Sequence, residues 1–238
     1  MLNLYITSSD RHNGKTFLTA GLAATMQSLG YSTTVYKPIQ TSGIEINGFT
    51  QSPDLTLIKS IDPYVNTEFT YLFRTNTEPL IASEKENKII DVDFINSEYQ
   101  KIINNYDCTL VDSDFGLFSP LSKGTIGIDL LKRMQIPILF AVSPNEISIS
   151  NLLLTINTAQ EKGLCIRGVI INNISNSCAN NTLTDITRII EEYTNIKILG
   201  LVPNMGTNVK PEELISAILN GIDIESIFNV KIEKLDFN

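Results

Sequence analysis

The chain has 238 residues, 42% of them hydrophobic, enough to bury a sizeable core in one α/β domain without requiring a second. A formal net charge of −8 argues against a nucleic-acid or anionic-membrane surface. Cys108, Cys165 and Cys178 are scattered without a C-x-x-C spacing, which reads as reduced thiols in a cytoplasmic protein rather than a disulfide frame or metal site, and no apolar run approaches the ~20 residues of a membrane helix.

Residues 2–7 are an apolar, strand-like run. They empty into a polar loop, Ser8-Ser9-Asp10-Arg11-His12-Asn13-Gly14, and a helical pattern starts at Lys15-Thr16. This is the context of a phosphate-binding loop: backbone N–H groups and a helix N-terminus face a polyphosphate, the lysine supplies charge and the threonine hydroxyl can hold Mg²⁺. The usual G-x-x-x-x-G-K-[ST] spacing sets its first glycine at Ser8 or Ser9, where serine lacks glycine's freedom if φ must be positive. Gly-Lys-Thr by itself also occurs in surface turns; the strand before and helix after favour the nucleotide loop. His12 is the chain's one histidine. It reads as a solvent-facing loop residue, or as a general base or phosphate contact.

Further along, residues 16–29 are helical, with Leu18, Leu22, Met26 and Leu29 on one face and Gly30 as the stop. Residues 32–36 form a short strand ending at Lys37-Pro38. A helix over 52–61 has Ser52 as cap and Pro53 at its first position. Residues 92–103 are helical, and 108–112 are a buried-type strand ending on an acid. Helices follow over 126–134, 148–162, 181–193 and 211–219, with strands over 137–142, 166–171 and 198–202. The last ~20 residues read as a C-terminal extension of a single domain spanning 1–238. Continuously apolar strands separated by helices imply an α/β, P-loop-NTPase-like, doubly wound and mostly parallel sheet covered on both faces. Ligands then bind beyond the carboxyl ends of the strands. That edge collects residues 7–16, 37–43, 112–116 and 143–150, with Asn172-Asn173 and Pro203-Asn204.

Several of these residues have two readings. Lys37 before a proline is a solvated lysine at a turn or a second cation in the site. Asp54 near a helix start is a dipole-favourable acid or a metal ligand. Asp112, at the end of an apolar strand, sits where a Walker-B acid would meet a metal held by Thr16. Asn172 is a turn former or an amide that reads a purine edge.

Taken together, Thr7-Ser8-Ser9-Asp10-Arg11-His12-Asn13-Gly14-Lys15-Thr16, Tyr36-Lys37-Pro38-Ile39-Gln40-Thr41-Ser42-Gly43 and Asp54 resemble dethiobiotin synthetases in order and spacing. Lys-Pro-x-x-Thr is the specific element, because generic phosphate-loop proteins lack it. Glu78-Pro79-Leu80-Ile81-Ala82, Leu110 to Leu121, Ile170-Ile171-Asn172-Asn173 and Leu199-Gly200-Leu201-Val202-Pro203 extend the likeness to about Leu219. The resemblance implies a cytoplasmic homodimer that closes a cyclic urea from CO₂ and 7,8-diaminononanoate, a small diamino acid, in biotin biosynthesis, with ATP as co-substrate and Mg²⁺ as cofactor. On that basis Lys15 and Lys37 are catalytic, neutralising the γ-phosphoryl group and a carbamate. Thr16, Asp54 and Asp112 hold Mg²⁺ as hard oxygen ligands, and Thr41 hydrogen-bonds the substrate. ATP is bound by His12, Asn13, Gly14, Lys15, Thr16, Phe17, Asp54 and Asp112, with Asn172, Pro203, Asn204 and Met205 on the base side.

The chain departs from that pattern in three places. Asp112 stands for the family's Glu. Ser113-Asp114-Phe115-Gly116 stands for Gly-Ala-Gly-Gly, with Asp114 expected to turn away from the phosphates. Glu146-Ile147-Ser148-Ile149-Ser150-Asn151 stands for Leu-Gly-x-Ile-Asn-His, which holds the diamine across a dimer interface. These differences admit a diverged paralogue acting on another amine or carboxylate. A different class is a non-catalytic nucleotide-binding regulatory protein of the partition-ATPase kind.

Overall fold

The computed structural model describes residues 1–9, 13–175, 178–206 and 209–231. His12 therefore lies outside the described residues. In chain order the elements are β1 (Leu2–Thr7), α1 (Lys15–Ser28), β2 (Thr33–Gln40), β3 (Ile44–Ile46), β4 (Phe49–Gln51), α2 (Pro53–Ile61) and β5 (Asn66–Leu72). Next come α3 (Pro79–Lys85), α4 (Val92–Ile103), β6 (Cys108–Asp112), β7 (Pro120–Ser122), β8 (Thr125–Ile126), α5 (Gly127–Met134), β9 (Ile138–Val142) and α6 (Ile149–Glu161). The chain continues with β10 (Ile166–Ile174), α7 (Asn180–Thr194), β11 (Ile198–Pro203), α8 (Pro211–Gly221) and α9 (Ile224–Phe228).

Seven strands form one sheet in the order β11-β10-β9-β1-β6-β2-β5, and every pairing in it is parallel. The fold is the expected α/β doubly wound sheet. One core cluster takes side chains from α3 to α7 on one face; a second takes them from α1, α2, α8 and α9 on the other. Among the described residues no helix is long and apolar enough to cross a membrane.

Three differences from the sequence reading have physical causes. First, β2 runs past Lys37-Pro38 to Gln40 instead of stopping at residue 36. Its pairing with β6 ends at Tyr36↔Val111, while pairing with β5 continues through Lys37↔Phe69 and Ile39↔Tyr71. Pro38 thus falls where no ladder bond is demanded of it. Second, β5 carries mostly exposed or half-buried side chains, as an edge strand does, so it lacks the apolar run that marked the other strands. Third, α1 is buried from Leu18 through Met26 without a polar face, because it lies between the sheet, α2 and α8. A Cβ on Gly21 would come within 2.9 Å of Ile218, so small residues set that helix contact. The segment read as a C-terminal extension contributes Ile224, Ile227 and Phe228 to the same core.

Candidate functional site

Because β1 pairs with β6 on one side and β9 on the other, its carboxyl end opens into the middle of the sheet edge. Neither Ser8 nor Ser9 has a positive φ, so a side chain at the first-glycine position causes no strain there. The left-handed residue is Gly14, at φ 67°, where it caps α1. A Cβ there would also lie 2.7 Å from the Asn172 amide nitrogen. Among the described residues no side chain caps the α1 N-terminus, and its first turn holds no acid, so its first N–H groups suit an anion.

Neighbouring strand ends pin the loop. The Asn172 amide donates to the Asn13 carbonyl at 2.9 Å and the Gly14 carbonyl at 3.1 Å, and the Ser143 backbone N–H donates to Asn13 Oδ1 at 2.6 Å. Asn172 is buried. Its amide nitrogen is committed to the loop backbone. Lys15 folds back so that Nζ donates to Ser8 Oγ at 2.9 Å, and burial pulls its pKa below that of a free lysine.

Alternation along β6 puts Asp112 on the face of Leu110, against α1. The hydroxyls of Thr16 and Thr19 approach its carboxylate at 3.4 and 3.5 Å. Lys37 is no solvated turn residue: its side chain is 0% exposed. Its Nζ donates to Asp112 at 2.8 Å and contacts Asp114 at 2.5 Å and Asp54. Burial opposes the ammonium charge, but Asp112, Asp114 and Asp54 more than offset it and hold the Lys37 pKa above its ordinary value.

The expected outward turn of Asp114 is corrected here. Phe115 is buried in the core, and Asp114 faces the cavity. Gln40 Nε2 donates to Asp114 Oδ2 at 3.1 Å and to Asp54 Oδ2 at 3.3 Å. Burial, less the effect of Lys37 and reinforced by Asp54 and Asp112, pushes Asp114 up to about 7. Burial also raises Asp54, yet Lys37 and hydrogen bonds from its neighbours bring it below the usual carboxylate range.

These groups border a cavity of about 490 Å³ lined by Asn13, Gly14, Lys15, Thr16, Phe17, Thr41, Asp54 and Asp114, among others. Gln40, Asn76, Thr77 and Glu78 also line it, and the sequence gives none of them a role in the site; Gln40 follows Lys37 by three residues on a strand that runs past residue 36. Pro203, Asn204 and Met205 sit at the β11 end, away from this lining; there Asn204 Oδ1 accepts from the Gly206 N–H at 2.8 Å. Carboxylate oxygens of Asp54, Asp112 and Asp114 lie within 4.8 Å of one another. All three hold Lys37 Nζ; Asp54 and Asp112 with the Thr16 hydroxyl are an all-oxygen donor set of the kind that suits a hard divalent cation.

The AAA-domain family profile matches residues 2–212. The chain belongs to this family. Within the AAA-domain proteins its curated relatives include the ATP-dependent dethiobiotin synthetase BioD of Bacillus cereus (strain G9842), 24% identical over 227 residues, covering 95% of this chain and 93% of that protein. That of Bacillus subtilis (strain 168) is 27% identical over 232 residues, covering 96% and 98%. The resemblance to dethiobiotin synthetases thus spans nearly the whole AAA-domain chain. Among solved structures, a ParA family ATPase from Chlorobium tepidum TLS is similar in fold, with TM-score 0.57, 15% identity and 96% of each chain covered.

Proposed function

We propose that the chain acts, as a single domain and as a homodimer, in the ATP- and Mg²⁺-dependent ring-closing carboxylation of 7,8-diaminononanoate to dethiobiotin. The observation that carries this reading is Lys37: a second buried lysine is paired with Asp54 and Asp114, which line the phosphate-loop cavity, an arrangement that simple nucleotide binding does not require. The likeness to ATP-dependent dethiobiotin synthetases supports it.

In this reading one substrate amine adds to CO₂ and loses a proton, giving a carbamate. A carbamate oxygen attacks the γ-phosphorus of ATP and ADP leaves. The second amine attacks the carbamoyl carbon, the C–O bond to the phosphoryl group breaks, phosphate leaves, the amine's proton passes to phosphate or solvent, and the cyclic urea forms. Gly14 and the α1 N-terminus cradle the phosphates, and Lys15 leaves Ser8 to contact them. Lys37 steadies the negative charge that moves from carbamate to phosphate, where a preorganised cation acts most strongly. Thr16, Asp54 and Asp112 would hold Mg²⁺, which would supply charge neutralisation on the phosphates. Thr41 orients the amine end, and Asn204 and Met205 border the base.

A second reading, a diverged relative acting on another amine or carboxylate, is favoured by one observation: Asp114 neutralises the lysine that would attract a carbamate.

Phosphate release from ATP, Mg²⁺ and bicarbonate, with and without the diamine, separates the two. Diamine-dependent release supports the synthetase; release that only another amine or acid elicits supports the relative. Lys37→Ala is expected to lower diamine-dependent release by ~10² while Mg–ATP affinity stays within a few-fold, whereas Lys15→Ala loses nucleotide binding. Equal losses of affinity and turnover in Lys37→Ala would remove the carbamate role.

A further inference from the structure

We propose that Asp114 is a positioning residue for Lys37: it is the carboxylate that keeps the buried Lys37 ammonium in place behind the cavity wall once Asp54 and Asp112 are engaged by a divalent cation. The inference rests on the Mg²⁺–nucleotide reading above.

A fully buried ammonium must be paired, because an uncompensated charge in the interior is strongly unfavourable. Lys37 has three anionic partners. Two of them, Asp54 and Asp112, are the acids best placed for metal: Asp112 approaches the Thr16 hydroxyl at 3.4 Å, and Asp54 lies in the first turn of α2, on the lining of the same cavity. Carboxylates that ligate a cation no longer neutralise a neighbouring ammonium. Asp54 and Asp112 then face the cation instead of Lys37, and Asp114 is the one of the lysine's three carboxylate partners left to pair with it.

Asp114 is also anchored independently of Lys37. Its Oδ1 meets Lys37 while its Oδ2 accepts from Gln40 at 3.1 Å. Gln40 Oε1 accepts in turn from the Ser52 hydroxyl, and Ser52 Oγ caps α2 by accepting from the Leu55 N–H at 3.1 Å. On the other side, the Ser113 hydroxyl donates to the Phe115 carbonyl at 2.7 Å and accepts from the Phe115 N–H at 3.2 Å. Phe115 buries its ring in the core. The loop is thereby closed on itself, and residue 114 is left facing the cavity. The Ser-Asp-Phe departure is a built feature that gives Lys37 a partner of its own.

The test follows the Lys37 Nζ resonance in full-length protein labelled with ¹⁵N-lysine, with Lys37→Arg assigning the signal. In the native protein the protected signal is expected both without ligand and at saturating Mg–ADP. In Asp114→Asn, which preserves shape and the Gln40 contact, the signal is expected without ligand and lost on adding Mg–ADP; Asp114→Glu is expected to restore it. Phosphate release should fall at least ~10-fold in kcat for Asp114→Asn with KM for ATP within ~3-fold. A signal that persists in Asp114→Asn with Mg–ADP bound, or one lost from the native protein, overturns the inference. Calorimetry separates the failures: absence of Mg–ADP binding to the native protein overturns the nucleotide reading and this inference with it, whereas binding with a persistent signal in Asp114→Asn overturns this inference alone. If Asp114→Asn does not fold, Gln40→Ala carries the same test by removing the anchor. Loss of its signal under Mg–ADP supports the inference and persistence overturns it.

Discussion

Three carboxylates around one lysine produce opposite shifts in two of their own number. Lys37 and its hydrogen bond bring Asp54 down, while burial and the neighbouring acids push Asp114 up to about 7 from an unfolded value of 3.8. Raised in the folded state, Asp114 binds more proton there than in the unfolded chain between those two values. Its contribution to stability is therefore full below about 4, is lost as pH rises towards 7, and leaves a penalty above that. Relative to Asp114→Asn, the metal-free native protein should lose about 1–3 kcal/mol of unfolding free energy between pH 5 and pH 8. Urea midpoints at the two pH values measure this, and a constant difference would mean that the carboxyl titrates normally. Lys37, Asp54 and Asp112 could be picked from sequence because each stood at a strand end or helix start where chemistry collects. The direction of Asp114 could not, because it is set by where Phe115 buries its ring, a packing decision made across the sheet.

At the scale of elements, strand–loop–helix was readable because β1 is apolar and α1 starts at Lys15-Thr16. What holds the loop was not, since Asn13, Ser143 and Asn172 come from three distant parts of the chain. Truncating Asn172 to Ala removes the donor that serves the Asn13 and Gly14 carbonyls. The expected loss is about 1–3 kcal/mol of stability in the absence of any nucleotide, with weaker nucleotide binding as the loop loosens. A residue that only read the purine would instead change the ATP-to-GTP preference and leave the unliganded melting temperature alone. Thermal unfolding without ligand, paired with ATP and GTP titrations, separates these roles. The length of β2 eluded the sequence for a related reason: a proline ends a strand only where its missing N–H is needed, and the neighbouring strands determine that.

For the molecule as a whole, the parallel sheet divides the interior into two cores and brings the phosphate loop, Lys37 and the acids to one edge. Cys108 begins the interior strand β6, and burial pushes its thiol up to about 12, with a lesser contribution from Asp107. Cys165 precedes β10 and is exposed. An aromatic disulfide reagent at pH 8 should modify Cys165 promptly in native protein and reach Cys108 only at the rate of global opening, since thiolate fraction and access both oppose it. Labelling of Cys108 as fast as Cys165 would show that the sheet opens locally at β6.

By itself the sequence determined the fold class, the place of the phosphate loop and the likeness to dethiobiotin synthetases. Those properties lie in local signals: apolar strands alternating with helical periodicity, a Gly-Lys-Thr junction, and a Lys-Pro-x-x-Thr run. Only the tertiary structure decided that Lys37 is fully buried among three acids, that Asp114 turns inward, that Asn172 serves the loop, and that the last helix completes a core. Each of these depends on residues far apart in the chain competing for the same interior space. Burial makes every charge there require a partner, and local sequence does not specify which partner the fold will bring.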